Sequence, residues 1–404
     1  MRELARRIAA ATPDGRDRGV DALRALAILG VVLGHWLVTA LVTDSGAVHG
    51  ASPLHTMPQL TPVSWVFQTL AVFFLVGGRM AATSHVAARA RGERYGRWLG
   101  ARTARLFRPV AAVLVLWCVV VVALLASGAG LETVRTLGTL AWSPLWFLLV
   151  FLALTAATPL VARLHPLWPL AVVLHIDLLR FGLGGPEWLG WLNVPAGWLV
   201  PYCLGAAWAR GRLGGRSTGW ALLLGGGAAT FGLVGWAGYP AAMVGVPGAG
   251  ISNLNPPTLA VVTFGLAQCG AALLLLGPLR QVLQRPLVWA PVALLNLSAM
   301  TVFLWHQTAM MAVTALGLLA GRPLPGLHTA PDGASWVLAR LAWLPVFGVA
   351  LLVCGAAFRA YEQGRAGRRG HARAVPERRT ALSAAGRCPG LVPGVRVGKP
   401  RARS

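Results

Sequence analysis

Acidic side chains are scarce in this sequence. Its 404 residues hold 12 Asp and Glu against 36 Lys and Arg, and only 12% of the chain is charged. So small a polar complement cannot cover a soluble surface, and a chain that is 56% hydrophobic is not a disordered one. The five cysteines (118, 203, 269, 354 and 388) include no CxxC pair, so they spell neither a disulfide framework nor a metal knuckle. Four of them fall in apolar segments, where Cys behaves as a small apolar side chain. The histidines form no HExxH pair and carboxylate ligands are few, so no metal is expected. GxSxG, P-loop and dinucleotide fingerprints are absent as well. The net charge of +24 suggests nucleic acid at first sight, but the basic clusters alternate with apolar runs and lack interleaved aromatics. Their simplest use is membrane topology and contact with anionic lipid, and no nucleic-acid partner is expected.

What the sequence does have is long apolar runs. A membrane-crossing helix needs about 20 mostly apolar residues. Ten segments approach that length: about 21–42, 63–82, 109–127, 144–162, 166–181, 191–209, 217–237, 258–277, 299–320 and 335–356. A buried parallel strand gives runs of only about 4–8 residues. The expected fold is therefore an all-α polytopic membrane protein with about ten transmembrane helices in one bundle. It divides into a cytoplasmic segment 1–20, a membrane domain 21–358 and a basic tail 359–404 expected to be disordered. With the N-terminus in the cytoplasm, 30 basic residues lie in inside segments, 2 (Arg135 and Arg322) lie outside and 4 lie within spans. That asymmetry follows the positive-inside rule and places both termini in the cytoplasm. The first apolar segment carries Asp21, Arg24 and His35 without a good cleavage pattern after it, so it is expected to remain as the first helix. Segments 43–62 and 238–257 are expected outside, 83–108 is an Arg-rich inside connection, helical from Ala87 to Arg108, and 287–298 lies along the inner surface.

Ionisable residues within such runs mark interior-facing positions. Arg24 and His35 are eleven residues apart, which returns them to within about 20° of one helix face at a rise of about 16 Å. Arg24 sits near the inner end, where an anionic substrate enters, and His35 lies deeper, where an imidazole can exchange protons near neutral pH. The plainer alternative is a snorkelling Arg and a packing His. Gly30 and Gly34 admit a neighbouring backbone, and Arg79 follows the small-residue end of Phe73-Phe74-Leu75-Val76-Gly77-Gly78. Arg102, Arg105 and Arg108 share one side of a helix and suit phosphates, as any cytoplasmic basic row does. The fifth span carries His175 with Asp177 and Arg180, which are spaced to pair within the helix. Asn253-Leu254-Asn255-Pro256-Pro257 suits a hydroxylated substrate or a cap on the helix from Thr258. Trp305-His306-Gln307 interrupts an otherwise apolar helix.

Taken in order, these stretches resemble the membrane-bound acyltransferase-3 family. The resemblance rests on Asp21-Ala22-Leu23-Arg24 with His35, Phe73 to Gly78, Arg102 to Pro109, Pro144-Leu145-Trp146-Phe147, Asn255 to Thr258 and Phe303 to His306, over about residues 18–358. It implies about ten helices around a cavity and transfer of acetyl or another short acyl group from acyl-CoA. The acceptor is a hydroxyl of a carbohydrate, glycolipid, cell-envelope polymer or natural product. It also implies a catalytic role for His35, with Arg24 needed for activity and Arg102, Arg105 and Arg108, beside Arg79, on the CoA side. Asp177 and His306 are expected to support catalysis, and Asn255, Asn253, Trp146 and His175 the acceptor. Gly77 departs from the Ser common in the family's second motif. Direct transfer and an acyl-histidine relay both fit, as do different oligomeric states. A secondary transporter or flippase is the alternative function, with a purely structural protein third. The lack of an internal repeat counts against a transporter.

Overall fold

The computed structural model describes residues 1–44, 47–246 and 250–363. The basic tail expected to be disordered lies outside the described residues beyond Gln363. The chain opens with a short amphipathic helix α1 (Arg2–Ala10), followed by α2 (Arg18–Val38). Asp17 starts α2 as its N-cap, its carboxylate accepting from the Val20 N–H at 3.3 Å. The apolar run predicts a first span reaching residue 42, but α2 stops at Val38. Thr39 is extended, and β1 (Ala40–Asp44) pairs antiparallel with β2 (Ala47–Ala51). The residues that read as the helix end, Ala40-Leu41-Val42-Thr43, are apolar up to the β-branched Val42 and Thr43, a composition that serves a strand equally well.

Single turns α3 (Pro53–Thr56) and α4 (Thr61–Ser64) lead into α5 (Leu70–Ala90). Next come α6 (Tyr95–Ala126), α7 (Leu131–Trp142), α8 (Leu145–Ala156), the turn α9 (Thr158–Val161), α10 (Leu167–Asp177) and α11 (Asn193–Ala209). The chain continues through α12 (Arg216–Trp236), α13 (Leu259–Val282), α14 (Pro286–Leu297), α15 (Ala299–Gly317) and α16 (Ala334–Gln363). Among the described residues, eight helical segments are long and apolar enough to cross a membrane. They take in eight of the ten expected runs. The other two are helical but shorter: α10 has 11 residues before a π-turn at Leu178–Gly182, and α11 has 17. The expected helix from Ala87 to Arg108 is broken between Ala90 and Tyr95, where Gly92 takes a positive φ of 71°. The apolar stretch before α15 forms α14, against which α1 packs; Trp289 Nε1 donates to Thr12 Oγ1 at 2.8 Å.

The centre of the bundle is aromatic. Phe74 of α5 stacks on Trp198 of α11 at 5.1 Å and meets Phe147 of α8 edge-on at 5.0 Å. Phe147 in turn lies 5.4 Å from Phe303 of α15. Offset and edge-on pairs of this kind add to the burial of large apolar area. Three short motifs far apart in the chain thus form one packed column. Beside it, α5 and α11 approach so closely that a Cβ on Gly78 would lie 2.2 Å from the Tyr202 carbonyl oxygen. One on Gly205 would lie 1.9 Å from that of Leu75. Only glycine fits at these two crossings.

Candidate active site

His35 lies in the last turn of α2, and that turn is held from several directions. Trp36 Nε1 donates to the His306 carbonyl at 3.0 Å. Arg340, itself 1% exposed, donates to the carbonyls of Trp36 (2.6 Å), Thr39 (2.7 Å) and Gly326 (2.9 Å). These carbonyls include ones left over at the helix end, so the charge is spread over real acceptors. Gly34 and Gly30 face Phe67 and Thr69, and Thr69 Oγ1 donates to the Ala27 carbonyl at 2.7 Å.

The facing side is α15. Gln307 Nε2 lies 3.0 Å from His35 Nδ1, and the rings of His35 and His306 are 5.1 Å apart at 43°. His306 Nδ1 lies 2.7 Å from the Phe303 carbonyl, which can only accept, so Nδ1 carries the proton and Nε2 keeps a lone pair. That Nε2 and Gln307 Oε1 are buried without hydrogen-bond partners. Buried acceptors without partners are uncommon; turning the Gln307 amide gives Oε1 one in His35 Nδ1, whereas His306 Nε2 stays without. Phe303 links this group to the aromatic column, its ring 6.1 Å from His306. Gln307, the His35 neighbour, is a residue that spacing and composition do not point to; its one signal in the sequence is the polar triplet Trp305-His306-Gln307.

At the other end of α2, Arg24 donates to Asn296 Oδ1 of α14 at 2.5 Å and lies 3.5 Å from Asp21 and 3.7 Å from Met80 Sδ. Asp21 also accepts from Arg16 at 2.5 Å. Met80 and Ser84 are four residues apart on α5, and therefore share a face. Arg102 and Trp98 of α6 both donate to Ser84 Oγ. Arg24 and Arg102 are so attached to one face of α5 a single turn apart. Arg79 takes a different direction: it donates to Asp17 at 3.1 Å and covers the Trp208 ring at 3.9 Å. Asp17 also accepts two hydrogen bonds from Arg280, at 3.1 and 2.6 Å. Burial raises the Asp17 carboxyl, but the Arg280 and Arg79 guanidiniums and the Val20 N–H outweigh it and hold its pKa at about 2. Arg105 and Arg108 are exposed, with no partner among the described residues.

The remaining candidates lie elsewhere. Asp177 makes no ion pair with Arg180; it accepts from Asn193 (2.8 Å), Tyr239 (3.0 Å) and the Leu259 N–H (2.6 Å). It joins α10, α11 and the start of α13. The isolated helical pairing expected from spacing loses to three donors that tertiary structure supplies. Asn253 donates to the carbonyls of Pro240 (2.5 Å) and Ala242 (3.0 Å) and accepts from Thr258 (2.7 Å), so its side chain is engaged within its loop. Asn255 is exposed. His175 is also exposed and turns back to its own helix at the Ala171 carbonyl, 2.7 Å away. Trp146 is 37% exposed and borders the aromatic column through Phe147 and Trp198. None of Asp177, His175, Asn253 and Asn255 bonds to His35, His306 or Gln307.

Among the described residues no group of three or more His, Cys, Asp or Glu is placed to hold a metal ion. No curated protein and no solved structure matches the chain. The model of the acyltransferase-3 family, an acyltransferase domain, matches residues 17–359, and with its membrane-length helices the chain belongs to that family as a membrane acyltransferase.

Proposed function

We propose that the protein transfers an acetyl or other short acyl group from acyl-CoA, with acetyl-CoA the leading donor, to a hydroxyl of a carbohydrate, glycolipid, cell-envelope polymer or natural product. In this reading ten crossings, including α10 and α11, enclose a cavity around His35, and both termini are cytoplasmic. The observation that carries it is the group on α2 and α15: His35 bonded to Gln307, with the buried, unpartnered His306 Nε2 beside it.

His35 is the base. With the Gln307 amide turned so that Oε1 faces His35, Nδ1–H donates to it, Nε2 keeps its lone pair and Oε1 gains a partner. His35 Nε2 takes the proton of the acceptor hydroxyl, whose oxygen attacks the thioester carbon. The C–S bond then breaks, and the CoA thiolate leaves and recovers the proton from His35. An acyl-histidine relay uses the same nitrogen as nucleophile and suits a donor and acceptor on opposite sides of the membrane. Arg24 and Arg102, fixed one turn apart along α5, bind the anionic part of the donor, with Arg105 and Arg108 extending the path. Arg79 serves it indirectly, through Asp17. His306 supports the reaction beside His35. Trp146, Asn255 and His175 have surface to offer the acceptor, while Asp177 and Asn253 shape the outer end through their own bonds.

His35→Ala is expected to abolish transfer while leaving CoA affinity and thermal midpoint near wild type. The measurement is mass analysis of glycans, lipids and secreted metabolites in cells expressing either form. A folded, CoA-binding variant that still yields the acylated product would remove His35 from the chemistry.

A further inference from the structure

A cavity stands apart from His35. It has a volume of about 280 Å³ and lies between the start of α10, α11, the turn after α11, and facing parts of α12 and α13. Its wall is apolar, built by side chains such as Leu170, Leu204, Leu222 and Leu266, and its polar lining consists of Arg210, Arg212 and His165 alone. The lining holds no carboxylate. Nε and Nη1 of Arg210 are buried and have no hydrogen-bond partner.

Such a guanidinium is costly to leave as it stands. Two of its nitrogens are out of water with their N–H groups unpaired, and charged donors of that kind are satisfied by an oxyanion. Other membrane-end arginines of this chain have found theirs: Arg280 and Arg79 meet Asp17, and Arg16 meets Asp21. Arg210 has no such neighbour, and the space in front of it is lined with leucine. The combination selects a ligand with a negative head and an alkyl chain. Arg210 follows the last turn of α11 and precedes α12, at the boundary of the membrane-spanning bundle, where phospholipid is the abundant amphiphile of that kind. Basic pockets between membrane helices bind anionic head groups for this reason.

We infer that this cavity is a binding site for an anionic phospholipid, whose phosphate rests on Arg210, with Arg212 beside it, and one of whose acyl chains lies against the leucine wall. The site shares no residue with the His35 group, so it stands or falls independently of the proposed chemistry.

The full-length protein is exchanged into micelles doped with equal amounts of phosphatidylglycerol and phosphatidylcholine, and retained lipid is read by native mass spectrometry. One basic contact is worth about fivefold near a membrane surface, so wild type is expected to hold phosphatidylglycerol over phosphatidylcholine by at least about that factor. R210Q loses that preference without leaving a new unpaired group, because the guanidinium has no protein partner to orphan. L222W, which fills the cavity from the partly buried face of α12, releases the lipid while both arginines remain. Equal retention of the two lipids by wild type overturns the inference, as does an unchanged preference in R210Q or in L222W. Displacement of phosphatidylglycerol by added CoA also overturns it, and reassigns the cavity to the acyl donor.

Discussion

The Gln307 amide faces His35 with either its nitrogen or its oxygen, and the two orientations leave the imidazole with opposite chemistry. Nitrogen toward Nδ1 fixes the proton on Nε2 and removes the base; oxygen toward Nδ1 frees Nε2. Gln307→Leu is therefore expected to lower kcat by about 10–100-fold, with the KM for acyl-CoA little changed, since partners that fix a histidine tautomer are worth about that much. Gln307→Glu keeps an acceptor at Nδ1 and is expected to be the more active of the two. Its carboxylate favours the imidazolium, and a base must be unprotonated, so the acid limb of its rate profile moves to higher pH. Steady-state kinetics across pH checks both, and equal activity for the two variants removes Gln307 from the positioning role. Part of this region is legible in the sequence. Arg24 and His35 stand out because charge and imidazole are rare in an apolar run. Gln307 is less so, being one neutral polar residue beside a more conspicuous His306. The Arg24 to Asn296 bond spans 272 positions and the Arg280 to Asp17 bond 263, separations on which no local spacing bears.

At the scale of elements, Asp17 ties the start of α2 to α5 and α13 through Arg79 and Arg280. Its pKa of about 2 lies below the ordinary 3.8. Its contribution to stability is thus complete above about pH 4 and is lost as pH falls toward 2. Asp17→Asn is expected to cost roughly 1–2 kcal/mol near neutrality, after allowance for its partial exposure, and to flatten the loss of stability between pH 4 and pH 2. Thermal midpoints of both forms over that range test it. The crossing of α5 and α11 has no such tolerance. Gly205→Ala places a methyl group on a backbone carbonyl rather than on a movable side chain, so the helices must part. Its expected outcome is a large drop in folded yield by fluorescence-detected size exclusion; Gly225→Ala on α12, with open space around it, leaves yield unchanged. Long runs such as α6 and α13 are readable from length and hydropathy because the bilayer demands both. The hairpin after α2 is not, since an apolar, β-branched stretch satisfies either element. The short α10 ends in a π-turn, and nothing in hydropathy announces where a helix will widen.

For the whole molecule, the distribution of basic residues predicts sidedness. Single cysteines placed at Val48 and at Gly214, in a background without native cysteines, are expected to react with an impermeant maleimide in intact cells only at Val48. The reverse pattern rejects cytoplasmic termini. The order of the short motifs along the chain is visible in the sequence, but their convergence is not: residues 73–74, 147 and 303 meet only because three helices share one core. The glycine crossing has a consequence in time. Gly78 and Gly205 make a seam that neither helix can form alone, and α11 is synthesised roughly a hundred residues after α5. At about 5–20 residues per second, the notch on α5 stands open for about 5–20 s of translation. During that interval α5 has lipid or the insertion machinery for a neighbour, and the surface that seats Tyr202 is bare. Assembly of the core therefore waits on the ribosome, and the early chain must be sheltered until its later half arrives.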